Sequence, residues 1–508
     1  MYRRICDWMG EPFDESLLPP IPTGEVDRIL IEHTLAKSIF TTTEFETEAL
    51  PHLLAVLKAV WGFDGFRGNQ LKIIQAVMTG NDVLALLPTG AGKSLTFQLP
   101  ALLRPGLTVV VSPLVALIRD QVQKLRHEAE VRFVNCLISG MTAMDQEEAL
   151  TDARNGRLRL LYVSPERLRD PRFRAFLVDF PIIQLVVDEA HCISTWGHDF
   201  RPDFLEITSL LPATSRVPIQ ALTATATPRV QEEIRDTLHL GSRGFSFVSI
   251  TGDFRRPNLV FRVLRPQSAK ERDALAVGIV QQIVVHPEKG GSGIMYVATR
   301  REAERLARLL RSRNIAAQPY HAGLATATRH HIQELFMQGE LQVVVATNAF
   351  GMGVDKQEIR FVLHYDHPSS VESYVQESGR AGRDGREAYA LLLYSPKTHR
   401  THRFLARRGV PDAGQLAKVM RTLLGGDFQG ALRRTDGSIL CSVEALAGKL
   451  ELEEAAVRVI LHALEQAGMV SRGRISRWKV SYYSTSLPKK SPGASMGTSR
   501  CSSMACGL

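Results

Sequence analysis

The sequence predicts two α/β domains in tandem, each built on a parallel sheet, followed by a small helical segment with a winged-helix-like pattern. Three observations predict this. Short continuous apolar runs alternate with amphipathic stretches in two successive sets. A Pro- and Gly-marked break around 251–291 separates the sets, and the character of the chain changes again after Ser395. Apolar runs without polar alternation suit strands buried on both faces, as in parallel sheets covered by helices.

Residues 1–50 form an N-terminal extension with no assignable role. Its first part ends in Pro19, Pro20 and Pro22 and reads as an extended lead-in. Val26, Ile29, Leu30, His33 and Leu35 then fall at helical spacing, which predicts a helix near 25–40. Another helix is expected over 52–61, ahead of Gly62. The first domain is placed at 51–250, with strands at Val83–Leu87, Thr108–Val111, Leu158–Val163 and Ile182–Val187. The second is placed at 251–396, with strands at Gly293–Val297, Gln342–Ala346, Phe361–His364 and Tyr389–Tyr394 and a helix at Arg301–Asn314. Over 397–483 the chain is basic and helical. Val443–Lys449 and Glu453–Gln466 read as helices, Gly468 as a terminator, and Trp478–Tyr483 as a strand. The Ser- and Gly-rich tail, 484–508, is expected to be disordered.

Composition narrows the function classes. The 508 residues are 44% hydrophobic and 23% charged, ordinary for a globular protein. The net charge of +9 and pI near 9.3 point toward a polyanionic partner. From Ala467 onward there are seven Lys or Arg and no acid; this is either a solvated basic tail or a backbone-contacting surface. The six cysteines are scattered and form no disulfide framework, which fits a reducing compartment. No run approaches the ~18 apolar residues of a membrane span, and the N-terminus has no signal-peptide core. An intracellular protein with no membrane partner is expected: cytoplasmic or nucleoid in a bacterium, nuclear in a eukaryote.

Two motifs carry phosphate chemistry. Val83-Leu-Ala-Leu-Leu-Pro-Thr-Gly-Ala-Gly-Lys-Ser94 is a buried strand running into a glycine-rich turn and then a helix. Such a turn, here Thr89, Gly90 and Gly92, aims backbone N–H groups and a helix N-terminus at phosphate oxygens. Lys93 supplies a point charge to the β- and γ-phosphates, and Ser94 a hydroxyl ligand for Mg²⁺. The strict pattern has glycine where Leu87 stands, so this is a variant. A flexible loop that happens to contain Gly-Lys-Ser is the competing reading. Further on, Ile182-Ile-Gln-Leu-Val-Val-Asp-Glu-Ala-His191 is an apolar strand ending in acids, at the sheet edge where ligands of open α/β folds bind. Asp188 is placed to hold Mg²⁺, and Glu189 to orient and deprotonate the water that attacks the γ-phosphate. The implied ligands are ATP and Mg²⁺.

Other segments fall around these two in a recognisable order. They are Phe66-Arg67-Gly68-Asn69-Gln70, Ser112-Pro113-Leu114, Ser164-Pro165-Glu166-Arg167, Leu222-Thr-Ala-Thr-Ala-Thr227, Ala346-Thr-Asn-Ala-Phe-Gly-Met-Gly-Val-Asp355 and Gln376-Glu-Ser-Gly-Arg-Ala-Gly-Arg-Asp-Gly385. Directly after the acidic motif comes His191-Cys-Ile-Ser-Thr-Trp-Gly-His-Asp-Phe-Arg-Pro202. Over roughly 52–396 the chain thus resembles the superfamily 2 helicases, and within them the RecQ family, whose fold is two RecA-like domains. The resemblance implies that Arg67 and Gln70 belong to the adenine-reading element; a glutamine amide both donates and accepts, matching an adenine edge. It implies that Ser112, Ser164, Thr223 and Thr225 contact the nucleic-acid backbone. Trp196 and Phe200 of the aromatic-rich loop would stack on unpaired bases, each worth ~1–3 kcal/mol. Arg201 would pair with a phosphate or with Asp199. Arg380 and Arg383, three apart and so expected on one helix face, would supply an arginine finger across the interdomain cleft; spacing does not choose between them. Arg255-Arg256-Pro257-Asn258-Leu259 and Tyr320-His321-Ala322-Gly323-Leu324 also match, without assigned chemistry.

Most of that family carries a four-cysteine zinc site after the motor. Here Cys441 alone lies between Cys192 and Cys501, so no zinc site is expected. Arg472, Arg474 and Arg477 would lie on or beside the wing. The resemblance implies an ATP-dependent 3′–5′ DNA helicase acting on single strands and duplex junctions, in recombination and repair. An RNA helicase and an ATP-gated translocase or clamp that does not unwind alone are the rival readings.

Overall fold

A computed structural model of the chain describes residues 25–180, 182–194, 217–284, 291–350, 356–396, 413–425, 439–452 and 454–466, with Arg201, Asp203, Phe204, Ile207 and the short pieces 432–433, 469–472 and 478–480. Two parallel sheets lie in one compact unit that ends at Val410, and a second unit begins at Pro411.

The first sheet has seven strands: β1 (Asp82–Leu86), β2 (Leu107–Val111), β3 (Val134–Leu137), β4 (Leu160–Val163), β5 (Ile182–Val187), β6 (Ile219–Thr223) and β7 (Phe247–Thr251). All pairs are parallel, in the order β3-β4-β2-β5-β6-β1-β7. β1, β2, β4, β5 and β6 are buried along their whole length, as continuous apolar runs require. Because β5, β6 and β1 are neighbours, the segments leaving their C-terminal ends share one edge of the sheet. That edge therefore brings together the phosphate loop, the acidic motif and the threonine motif.

The segment 25–49 is part of this domain rather than an appendage, so the expected boundary at residue 51 falls inside its core. Leu30, Leu35, Phe40, Phe45 and Ala49 pack in one cluster with Leu53, Ile73 and Leu102. The fully buried Arg159 fixes the segment with donors to the carbonyls of Leu30 and Leu102 and, at 2.8 Å, to Thr34 Oγ1. The main chain adds bonds from Leu35 to Leu103 and from Phe40 to Met78, both 2.8 Å. The expected helix is shorter than its periodicity suggested, Glu25–Glu32, followed after a break by the helix Leu50–Trp61. Thr41 opens the intervening turn with a capping box to Glu44.

The second sheet comprises β8 (Leu259–Leu264), β9 (Ser292–Tyr296), β10 (Ala317–Tyr320), β11 (Val343–Ala346), β12 (Ile359–His364) and β13 (Ala388–Leu393). It too is all parallel, in the order β10-β11-β9-β12-β13-β8. The amphipathic helix Arg300–Arg311 buries Ala303, Leu306, Ala307 and Leu310 against it. The second unit packs helices Ala413–Gly425, Val443–Leu450 and Glu454–Gln466 with four short antiparallel strands, β14 (Leu432–Arg433), β15 (Ile439–Cys441), β16 (Ser471–Arg472) and β17 (Trp478–Val480). Cys441 sits in its apolar core with Val419, Leu446 and Ile460, and burial pushes its thiol up to about 11. Arg474, Arg477 and the tail from residue 484 lie outside the described residues. No helix among the described residues is long and apolar enough to cross a membrane.

If the N-terminal segment is core, Phe45→Ala should destabilise the protein by about 3–5 kcal/mol, as large aromatic truncations in cores do. Urea unfolding reads this directly; a loss below about 1 kcal/mol, the level of an ordinary surface substitution, would return the segment to the status of an appendage.

Candidate active site

The phosphate loop takes its shape from two glycines. Gly90 and Gly92 have φ of +84° and +74°, a region that side chains with a Cβ rarely occupy. Space adds to this at Gly92, where a Cβ would lie 2.4 Å from Gln70 Nε2. At Gly90 a Cβ would make an ordinary 3.4 Å contact with Arg383 Cγ, and the backbone conformation alone favours glycine. The helix Leu95–Leu103 follows, and Ser94 at its N-cap makes no side-chain capping bond. Thr96 Oγ1 donates to the Lys93 carbonyl at 2.6 Å. Gln70 is buried and grips the loop: Nε2 donates to Ala91 O at 3.0 Å and Gly92 O at 3.2 Å, while Oε1 accepts from Arg67 N at 2.8 Å. The amide expected to read a base thus holds the glycine-rich loop expected to face phosphates. A cavity of about 490 Å³ opens beside it, lined by Phe63, Arg67, Gln70, Gly92, Ser94 and, from the second domain, Arg383. Phe63 was not among the expected residues; its half-exposed ring lies 5.2 Å from the Arg67 guanidinium. An aromatic four residues before an arginine was the available signal.

Asp188 and Glu189 stand at the end of β5 as expected. Asp188 is mostly buried; it accepts from Glu189 N at 3.0 Å and from Ser112 Oγ at 3.3 Å. Burial, then the negative charge of Glu189, raise its carboxyl to about 6, while Lys93 pulls the other way. Glu189 has φ +49° and ψ +47°, a left-handed conformation that costs a non-glycine residue about 1–2 kcal/mol. His191, also buried, connects this pair inward. Its Nδ1 lies 3.3 Å from Glu189 Oε2 and 2.9 Å from Thr223 Oγ1, and Thr223 Oγ1 in turn accepts from Thr225 N at 3.2 Å. Sequence reasoning missed His191, although it stands two residues past the acid it touches.

Arg380 and Arg383 do not share a helix face. The helix Val371–Ser378 ends before them, and Gly382 (φ +62°) and Gly385 (φ +82°) turn the chain through a non-helical bend. Arg380 is buried beside Tyr296, whose phenol burial pushes up to about 12 against the opposing pull of that guanidinium. Arg383 alone of the two lines the cavity with the phosphate loop.

The proposed nucleic-acid contacts are placed differently from expectation. Ser112, Ser164 and Thr223 are buried, the first donating to Asp188 and the last bonded to His191, so their hydroxyls face the interior in this conformation. Thr225 is half-buried. Strand ends buried on both faces turn small hydroxyls inward, where the carboxylate and imidazole offer partners. Arg201 donates to Pro113 O at 2.8 Å and its N–H to Cys192 O at 2.9 Å, tying the end of the aromatic-rich loop to the segment after β2. Trp196, Phe200 and Asp199 lie outside the described residues, as do residues 351–355 of the glycine-containing loop.

The donor set fits Mg²⁺ with a nucleotide: a hard carboxylate at Asp188, an uncapped hydroxyl at Ser94, and a glycine cradle that a Cβ would fill.

Comparison with known proteins agrees with this geometry. Residues 67–234 match the DEAD/DEAH box helicase model and residues 276–385 the helicase conserved C-terminal domain model. Fold and site together define the class: a two-domain helicase core of the DEAD/DEAH type. The chain is 42% identical over 347 residues to the ATP-dependent DNA helicase RecQ of Haemophilus influenzae, covering 68% of this chain and 54% of that one. It is 37% identical over 372 residues to the probable ATP-dependent DNA helicase RecS of Bacillus subtilis, covering 73% of this chain and 72% of the relative. In fold it is similar to the Mycobacterium smegmatis helicase Lhr solved with ssDNA and AMP-PNP, with a TM-score of 0.56 at 18% identity over 85% of this chain and 60% of that one. The chain belongs to the RecQ family. It spans 54% and 57% of the two RecQ proteins from Haemophilus influenzae and Pasteurella multocida that it matches.

The raised Asp188 carboxyl has a measurable sign. The folded state keeps its proton up to about pH 6, whereas an unfolded aspartate loses it near 3.8, so the ionised group opposes folding above pH 6 and ceases to as pH falls below that. Asp188→Asn should therefore raise Tm of the ligand-free chain at pH 8, by about 2–4 °C. The gain should shrink below pH 6; a pH-independent gain, or none, would contradict the burial argument.

Proposed function

We propose that the chain is an ATP-driven DNA helicase that moves 3′ to 5′ along one strand and separates duplexes at junctions with single strands. The observation that carries this reading is convergence: the phosphate loop of the first domain and Arg383 of the second line one cavity, and the loop's Lys93 pulls on the carboxyl of the adjacent acid pair. A site split between domains makes their relative position depend on what it holds, which is what a translocating motor needs.

In this reading the adenine lies by Phe63, Arg67 and Gln70. Lys93 and the loop's N–H groups bind the β- and γ-phosphates. Ser94 and Asp188 would hold Mg²⁺, which when bound neutralises phosphate charge. Glu189 orients a water and takes its proton as the oxygen attacks the γ-phosphorus; the bond to the ADP oxygen breaks and phosphate leaves. Arg383 is the arginine finger, and Arg380 supports it from the buried side against Tyr296. The His191–Thr223 contact passes the state of the acid pair to β6. The Ser112–Asp188 and Arg201–Pro113 contacts link it to the segment after β2 and to the aromatic-rich loop. Opening each base-pair step costs ~1–2 kcal/mol, so one hydrolysis per step suffices. We assign the C-terminal unit, with Arg472 and Lys479 on its antiparallel strands, as a winged helix that contacts the DNA backbone.

Unwinding of a duplex with a 3′ single-stranded tail under Mg-ATP, abolished in Lys93→Ala, is the expected result. DNA-stimulated hydrolysis without unwinding would leave a translocase or clamp and remove the helicase reading. Arg383→Ala should lower kcat by about 10³-fold or more while nucleotide affinity persists. Arg380→Ala should lose thermal stability as well as rate, since it leaves the buried Tyr296 surroundings incomplete; the reverse pattern would exchange the two roles.

A further inference from the structure

Arg256 and Asn258 stand at the join between the sheets, outside both segments matched by the family models. Arg256 directs its guanidinium at main-chain oxygens. Nη2 donates to Ala381 O at 3.0 Å and Gly382 O at 2.8 Å; Nη1 lies 3.4 Å from both Gly379 O and Thr89 O. Nε faces Asn258 Oδ1 at 3.4 Å. Asn258 completes the clasp: Nδ2 donates to Gly382 O at 2.8 Å and Arg386 O at 2.9 Å, and its carbonyl accepts from Ala388 N at 2.9 Å. The clasp fits closely. A Cβ on Gly382 would lie 2.6 Å from Asn258 Nδ2 and 2.9 Å from Ala388 Cβ.

Three of the carbonyls around Arg256 belong to the bend that presents Arg383, and the fourth, Thr89, belongs to the phosphate loop beside Gly90. One cation thus touches both halves of the site without lining the cavity. The bend has no helix to hold it and turns on two positive-φ glycines, so its shape depends on outside contacts. An arginine finger needs placement within roughly 0.5 Å to act on the transition state. The planar fork of an arginine reaches several carbonyls at once; a lysine, a point charge on a flexible stem, does not.

We propose that Arg256 is a positioning residue for Arg383: it holds the arginine bend in its active shape and registers that bend against the phosphate loop through Thr89. The inference rests on the reading that the chain hydrolyses ATP with Arg383 as its finger.

The test compares wild type, Arg256→Ala, Arg256→Lys, Arg383→Ala and the Arg256→Ala/Arg383→Ala double variant in the full chain. Steady-state hydrolysis with saturating single-stranded DNA, binding of a fluorescent Mg-ADP analogue, and Tm are measured. Arg256→Ala should lower kcat by about 30-fold or more, with KM and Mg-ADP affinity within about threefold of wild type. Arg256→Lys should fall by about tenfold, and it keeps charge and stem should the alanine variant fail to fold. Because Arg256 acts through Arg383, the double variant should be no slower than Arg383→Ala alone. Turnover of Arg256→Ala or Arg256→Lys within threefold of wild type, losses that multiply in the double variant, or weakened Mg-ADP binding that accounts for the rate would each overturn the inference. A wild-type chain without ATPase activity overturns the functional reading itself, and this inference with it.

Discussion

Two adjacent carboxylates at the end of a strand buried on both faces are the constraint around which the first domain's active edge is arranged. Burial opposes the charge of Asp188 and Glu189 repels it, so that charge is opposed from two sources and supported chiefly by Lys93 and two hydrogen bonds. The surrounding features answer that cost. Ser112 points inward to donate, the main chain of Glu189 folds back to donate, and Glu189 adopts a left-handed backbone that turns its own carboxylate toward His191. Local strain and a raised carboxyl are what proteins concentrate where chemistry is done.

The same constraint explains why hydroxyls that resemble nucleic-acid contacts are buried. Ser112 bonds to Asp188 and Thr223 to His191, so these polar groups at the ends of β2, β5 and β6 form one connected patch. Connected polar groups in a low-dielectric setting respond jointly, since a change of charge at one alters the hydrogen bonds of the next. In the proposed motor, communication between nucleotide and nucleic acid would need no long-range device in the first domain, only neighbouring strand ends.

Much of this was legible in the sequence because parallel strands buried on both faces leave an unmistakable apolar signature. β1, β2, β5, β9 and β12 were found within a residue or two of their ends. β8 was missed because most of it is exposed or half-exposed, and β10 because Pro319 stands within it, which an edge strand tolerates. Residues 25–49 looked like an extension because their apolar residues are spread through short turns rather than one long helix; burial, not periodicity, makes them core. At the candidate site, the placement of Lys93, Ser94, Asp188 and Glu189 beside strand ends was legible from local patterns. The roles of His191 and Arg256 were not, since each depends on partners supplied by distant segments. The bend carrying Arg380 and Arg383 was read as helix because three-residue spacing is helical in the absence of tertiary information. Gly382 and Gly385, both at positive φ, overrode it.

β1, which delivers the phosphate loop, has as sheet neighbours only β6 and β7. The buried Asp82 at its start accepts from Ile219 N, 137 residues downstream, and from Gly241 N and Arg243 further still. During synthesis the ribosome therefore releases the most glycine-dependent element of the site long before the strands that flank it exist. Closure of such distant pairings is entropically slow, so β1 waits as an unpaired apolar segment until β6 has emerged at residue 223, and keeps one open edge until β7 ends at residue 251. A chain stalled or truncated before β6 exposes both edges of β1, and one stopped before β7 exposes one, which makes it a client for chaperones and a seed for aggregation.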